Sequence, residues 1–491
     1  MSKDCSEYIV ILPDNCTRLT NPSSNSHNAF GKINVTQIRQ ATYTESIVTD
    51  IAANSNIAAT AKYCDLEGNE WVAPTEENTL RILAIGNSFS EDAMWHLYGI
   101  LNNAIENDAI DYEYVSLGNL RKSSCTLDTH WSNIENNTGA YNYYTNTNGE
   151  WSYVSSYALE TALTSQQWDI ITIQQESGNS GVPTSYSNLA NIVDYVNTNK
   201  TNENAKIYWH MTWAYQSDLS RESFATNYNN DQMTMYNAII STVQSKVTTI
   251  DGIAGVIPSG TAIQNARTSY LGDTLTRDDY HLSYGLGRYI AAMTWLSYIT
   301  GVSLDNINWV PEGYASIALD MSVIKESVNN AITTPYEITS SAYTEEPEHT
   351  DAEYFAAYNL DIANYSSLDL TEYTHFQQYY QSVKALPTSM TSGSDLAKQY
   401  IGFGTFDKTT LPVGSVIIVD TEDGYIYRPE GWIDAETNNT TRPDEVTEKF
   451  VVADEDWWGT FTIRGFNFTK GSEITEEEAS HFRIYIPSSN T

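Results

Sequence analysis

The sequence predicts an α/β protein built on a three-layer, flavodoxin-like parallel sheet, with a small β-rich region before it and a β-sandwich-like region after it. Three observations carry this. Between residues 80 and 338, short apolar runs alternate with helical patterns, the texture of strand–helix–strand units that stack helices on both faces of a sheet. Residues 1–77 are rich in Asn, Ser and Thr, with brief β-branched runs such as "EYIVIL" and "GKINVTQI". Residues 366–491 alternate apolar and polar side chains between Gly, Pro and Asp turns, as in "LPVGSVIIVDTEDGYIYRPEGW", the pattern of sheets with one buried face.

The elements follow in chain order. Five strands are expected at "RILAIG" (81–86), "YEYVSLG" (112–118), "WDIITIQ" (168–174), "KIYWHMTW" (206–213) and "GIAGVIPSG" (252–260); such nearly continuous apolar runs suit strands covered on both faces. Ser88, Gly118 and Gln174 fall at or just past the ends of the first three strands, and open α/β sheets bind ligands beyond the carboxyl ends of their strands. The segment "GLGRYIAAMTWLSYITG" (285–301) is a core helix, too short for a bilayer and carrying Arg288, so no membrane insertion is expected. A further helix is expected over "SVIKESVNNAITTPYEI" (322–338), and residues 339–365 read as an acidic linker, having no apolar period.

Composition narrows the function. The chain has 491 residues, 41% hydrophobic and 12% aromatic, enough for a large core. Its 62 acidic and 25 basic residues give a formal charge of -37, which opposes binding to nucleic acid, where Lys and Arg must displace counterions. Residues 1–16, "MSKDCSEYIVILPDNC", lack the basic start and long apolar segment of a signal peptide. Cys5, Cys16, Cys64 and Cys125 have no metal-type spacing; a link between Cys5 and Cys16 is left open.

The chemistry centres on "GNSFSED" (86–92). Ser88 and Glu91 stand at capping-box spacing, so Ser88 is either a helix cap or a nucleophile. A serine nucleophile needs an imidazole to take its proton and a carboxylate to hold that imidazole's tautomer. "RDDYHLSYGLGRY" (277–289) supplies both: Asp278 precedes His281 by three residues, just before the core helix. The bland alternative makes His281 a satisfied histidine and Asp278 or Asp279 a helix cap.

"IGNSFSED", Gly118 after the second strand, a polar block after the third, "DDYH" and "PSGTAIQNAR" (258–267) together resemble the SGNH hydrolases, or GDSL esterases, over residues 80–338. The likeness is to an uncharacterised branch with the GNSFS loop and a Q-x-x-S element. It implies Ser88 as nucleophile, His281 as base and Asp278 as its partner, and backbone amides of Ser88 and Gly118 as oxyanion donors. The superfamily adds an Asn amide from G-x-N-D, where this chain has "IQQESGNS" (173–180); the substitute is Gln174 or Gln175, Gln174 being preferred because it ends the strand, and Gln175 is then expected to line the substrate site. The implied activity is an acyl-enzyme esterase that removes acetyl groups from a glycan or polysaccharide without a cofactor. The alternative of another class is a glycan-binding surface or virion protein, such as a phage tail component, with little or no turnover.

Three further features are weaker. Asp92 and His96 sit one helical turn apart, but no third metal ligand stands at a suitable spacing, so no metal is expected. His130, in "TLDTHW", either lines the cleft or sits on the surface. Trp432, Trp457 and Trp458 form either core or a sugar-stacking platform.

Overall fold

In the computed structural model, the described residues are 78–311, 314–378, 411–419, 450–453 and 471–488, with backbone alone at 9–11, 62–64, 375–378, 400–403, 425–427, 451 and 460–464. Residues 1–78 and 79–491 form separate compact units. Of the first, an antiparallel pair, Ile9–Ile11 with Lys62–Cys64, is described. Cys5, Cys16, Trp432, Trp457 and Trp458 lie outside the described residues.

The five expected parallel strands are present. β1 (Thr79–Gly86) is followed by helices α1 (Ser88–Met94) and α2 (Leu97–Glu106), then β2 (Tyr114–Arg121) and α3 (Leu127–Glu135). β3 (Tyr141–Asn146) and β4 (Ser152–Tyr157) follow, then α4 (Leu159–Thr164), β5 (Ile170–Ile173), α5 (Leu189–Asn199) and β6 (Lys206–His210). After α6 (Glu222–Tyr228) and α7 (Gln232–Thr242) come β7 (Ile253–Ile257), α8 (Ser259–Ala266), α9 (Leu286–Thr300) and α10 (Met321–Thr333). The sheet order is β4-β3-β2-β1-β5-β6-β7. β1 pairs in parallel with both β2 and β5, and the parallel set continues through β6 to β7. All four residues of β5 are buried, as a strand covered on both faces requires. Helices α1, α2, α8, α9 and α10 pack in one group, and α3, α4 and α5 in another.

The sheet is mixed rather than purely parallel, because an antiparallel hairpin, β3-β4, extends it beyond β2. Its strands are Tyr-rich rather than aliphatic, and stacked pairs Tyr143–Tyr157 and Tyr144–Tyr153 hold them face to face at 4.7 and 5.0 Å between ring centroids. The turn is closed by Gly149, at φ 95°, whose N–H donates to Asn146 Oδ1 at 2.8 Å. Only glycine enters that region without steric cost.

Gly118 differs from its expected place. β2 runs on to Arg121, and Gly118 sits mid-strand between Leu83 and Thr145, so it ends nothing. A Cβ there would stand 2.7 Å from Trp168 and 3.2 Å from Leu83; close packing, rather than a turn, calls for the glycine.

The segment read as a linker is structured. Ser341 is buried and bonded to Glu326, and Tyr270 N–H donates to the Tyr343 carbonyl. α11 (Asp351–Ala357) is closed by a capping box between Thr350 and Glu353 and buries Tyr354 and Phe355. These pack on Val416, Ile418 and Phe450 of the region beyond. Among the described residues that region holds two four-stranded antiparallel sheets, and the buried strand Val416–Val419 lies between Phe450–Val452 and Phe482–Pro487.

Gly118→Ala is expected to overpack the sheet and lower the unfolding free energy by about 1–3 kcal/mol, read from urea denaturation. A variant as stable as the parent contradicts this packing role.

Candidate active site

Ser88 owes its freedom to its neighbour. Asn87 is the N-cap of α1, its Oδ1 accepting from Phe89 N–H at 2.9 Å, so Ser88 is the first helical residue and caps nothing. Glu91 does not close a capping box either, since it pairs with Arg121 at 2.7 Å. The Ser88 amide, at the first position of a helix, has no intrahelical acceptor.

The loop before α1 is braced from below. A Cβ on Gly86 would stand 2.7 Å from Ser90 Oγ and 3.0 Å from Gln174 Cδ, so the chain passes here only as glycine. The single Ser90 Oγ–H is shared between the Asn87 carbonyl at 2.8 Å and Asn119 Oδ1 at 3.0 Å. Gln174 Nε2 donates to Asn87 Oδ1 and its Oε1 accepts from His210 Nδ1, both at 2.9 Å. Gln174 is therefore a buried brace, bonded at both ends of its amide.

His281 reaches Ser88 across 193 residues of sequence: its Nε2 lies 2.7 Å from Ser88 Oγ, and its Nδ1 lies 2.7 Å from Asp278 Oδ2. A carboxylate can only accept, so Nδ1–H donates to Asp278 and the bare Nε2 accepts from the Ser88 hydroxyl. The His281 backbone N–H donates to the other oxygen, Asp278 Oδ1, at 2.8 Å. Partial burial pushes the Asp278 carboxyl up, but these two bonds and the Arg277 charge outweigh it and leave the group below its ordinary value. The His281 side chain is 16% exposed and that of Asp278 43%, so the triad meets solvent.

Aromatic rings hold the imidazole in place. The ring of Tyr280 lies 4.1 Å from that of His281, and Phe89, stacked on Trp213 at 4.4 Å, lies 5.7 Å from it. Asp279 adopts the left-handed φ of 68°, rare outside glycine. Its carbonyl accepts from Gln216 N–H at 2.7 Å, and that of Tyr280 from Trp213 Nε1–H at 2.8 Å.

Other expected site residues are elsewhere. His130 is fully buried and bonded to Tyr141 at 2.9 Å, so it lines no cleft and is not on the surface. Gln175 is equally buried; its Oε1 accepts from the amides of Leu127 and Glu176, and its Nε2 donates to Ser185. Neither Asp278 nor Asp279 caps the core helix, which begins after Gly285. His96 Nε2–H donates to the Tyr284 carbonyl at 2.7 Å, and the Asp92 carboxylate is taken by Arg277 and Arg288, so this pair does not face a common ion. Gly118, inside the β2 ladder, offers no donor to the edge; the strand end beside Gly86 is Arg121, and Lys122 N–H donates to the Gly86 carbonyl at 3.1 Å.

Three histidines are held neutral. Burial pushes His96 and His130 down to about 4 and His210 to about 3. Cys125, a buried free thiol, is pushed up to about 12 by burial.

The family described as "Domain of unknown function (DUF4886)" matches residues 81–331. A crystal structure of a DUF4886 family protein from Bacteroides uniformis is 36% identical, covering 54% of this chain and 98% of its own, with a TM-score of 0.50. An acetyl-xylooligosaccharide esterase of Geobacillus stearothermophilus is 10% identical, covering 47% of this chain and 97% of its own, at a TM-score of 0.30. An alpha/beta hydrolase from the metagenome of Lake Arreo, Spain, is also 10% identical, covering 45% of this chain and 95% of its own, at 0.30. No curated protein matches the chain.

The buried histidines set a pH dependence. Their folded-state values lie below the ordinary 6.5, so below that pH the unfolded chain binds more protons and stability falls as pH falls. The urea midpoint is expected to drop between pH 6.5 and 4, and His130→Gln to flatten part of that drop. A variant with the parent's full slope contradicts it.

Proposed function

The chain belongs to the DUF4886 family, and on that premise we propose that it is a serine esterase of SGNH type that removes acyl groups, acetyl above all, from a carbohydrate. The observation that carries the reading is the Ser88 Oγ–His281 Nε2 contact of 2.7 Å, with Nδ1 held by Asp278 at 2.7 Å. The carbohydrate rests on the resemblance of "IGNSFSED" and "DDYH" to the SGNH esterases.

Ser88 Oγ attacks the ester carbonyl carbon as its proton passes to His281 Nε2, and Asp278 stabilises the imidazolium that forms. The tetrahedral oxyanion takes the Ser88 amide, which the helix leaves without an acceptor. The protonated His281 gives its proton to the departing sugar oxygen. Water, losing a proton to the same nitrogen, then attacks the acyl carbon; the Ser88 Oγ–C bond breaks, the carboxylic acid leaves, and the Nε2 proton returns to Ser88 Oγ.

Hydrolysis of 4-nitrophenyl acetate tests this. Ser88→Ala and His281→Gln are expected to lose on the order of 10⁴-fold or more in kcat/KM while keeping the parent's thermal midpoint. Equal turnover by parent and Ser88→Ala contradicts the assignment.

A further inference from the structure

The triad needs its two halves, Ser88 on α1 and His281 on a distant loop, held in register, and nothing in the reaction itself does that. Asp92 does. It stands one helical turn after Ser88 on α1 and is 1% exposed, so its carboxylate is inside the protein and fixed to the helix that carries the nucleophile. Its Oδ2 accepts the Leu282 backbone N–H at 3.0 Å, and its Oδ1 accepts Arg277 Nη1 at 3.0 Å. Arg277 and Leu282 are the two stems of the loop that presents Asp278 and His281. The stems are joined by the Arg277 N–H bond to the His281 carbonyl at 2.9 Å, by a bridge between Thr276 and Leu282, and by an Arg277 Nη1 bond to the Leu282 carbonyl. Arg288, from the first turn of α9, closes the cluster on Oδ1 through Nε and Nη2, each at 2.8 Å. Its guanidinium lies 4.6 Å from the ring centres of both Trp95 and Tyr284.

We infer that Asp92 is the positioning residue of the site: one buried carboxylate grips both stems of the histidine loop and ties them to the Ser88 helix, setting the Ser88–His281 distance. The inference rests on the proposed esterase reading for its kinetic consequence, but its structural claim stands apart from turnover. A buried ion cluster stabilises a fold no better than apolar packing of the same volume. What it adds is direction, since a carboxylate accepts from fixed donors along fixed lines and a methyl group does not. Asp92 has four such donors, and two lie on the stems of the loop whose placement decides whether Nε2 meets Oγ. A misplacement of about 1 Å costs on the order of 100-fold in rate.

The test combines proton NMR of protein with ¹⁵N-labelled histidine and 4-nitrophenyl acetate kinetics on Asp92→Asn, Arg277→Gln and Arg277→Lys. The short His281 Nδ1–H bond to Asp278 should give a low-field proton in the parent, identified by its absence in His281→Gln. Asp92→Asn and Arg277→Gln are expected to lose or broaden that proton and to lower kcat on the order of 100-fold with KM nearly unchanged, and Arg277→Lys to recover part of both. Where Asp92→Asn does not fold, Arg277→Gln, which leaves Arg288 on Asp92, supplies the reading. Folded variants that keep the low-field proton and the parent's kcat overturn the inference. A parent that shows the proton, loses it in these variants and hydrolyses no ester supports the clamp and removes the esterase reading instead.

Discussion

A helix start has free backbone donors to satisfy, and a serine at that point ordinarily spends its oxygen on them. Here Asn87 takes the duty with its Oδ1, and the hydroxyl of Ser88 is left to meet an imidazole. The rest of the site depends on that division of labour. Asn87 can hold the position because Gln174 donates to the same oxygen from the end of β5, and because Ser90 donates to the Asn87 carbonyl. Gly86 leaves room for both. The polar braces are buried and mutually bonded, which makes each of them geometrically demanding.

The second half of the site is built on a different principle. The His281 loop is short, contains a residue at positive φ and carries a half-exposed carboxylate, none of which would fix it alone. Its place comes from contacts to other elements: Trp213 and Gln216 after β6, the Phe89 ring, and the Asp92 carboxylate on α1. Residues from three separate stretches of chain thus converge where the sheet's parallel strands end, the position that open α/β sheets favour for ligands.

The five parallel strands were legible because aliphatic runs buried on both faces leave a nearly continuous apolar record, and Asp278 with His281 because a carboxylate three residues before an imidazole meets a chemical demand; Ser88 was legible through the likeness of "IGNSFSED" to the SGNH loop. Single residues without such a demand were not. Gly118 reads as a strand-ending turn, yet the constraint on it is the Trp168 ring packed against its α-carbon, which no local pattern reports. The β3-β4 hairpin is Tyr-, Thr- and Ser-rich rather than aliphatic; "TNGEW" between two Tyr-rich runs is the turn signal that marks it. His130 and Gln175 are polar side chains buried inside the core, indistinguishable in sequence from surface ones. The stretch 339–365 hides a capped helix whose two buried aromatics, Tyr354 and Phe355, are too few to make a period.

The most direct measurement of the central claim, an activated hydroxyl at Ser88, is the intact mass of the folded protein after a fluorophosphonate, followed by peptide mapping of the adduct. One adduct per chain, carried by Ser88 and lost when the protein is unfolded before exposure, is the predicted result. No adduct on the folded protein, or one carried by a different residue, contradicts it.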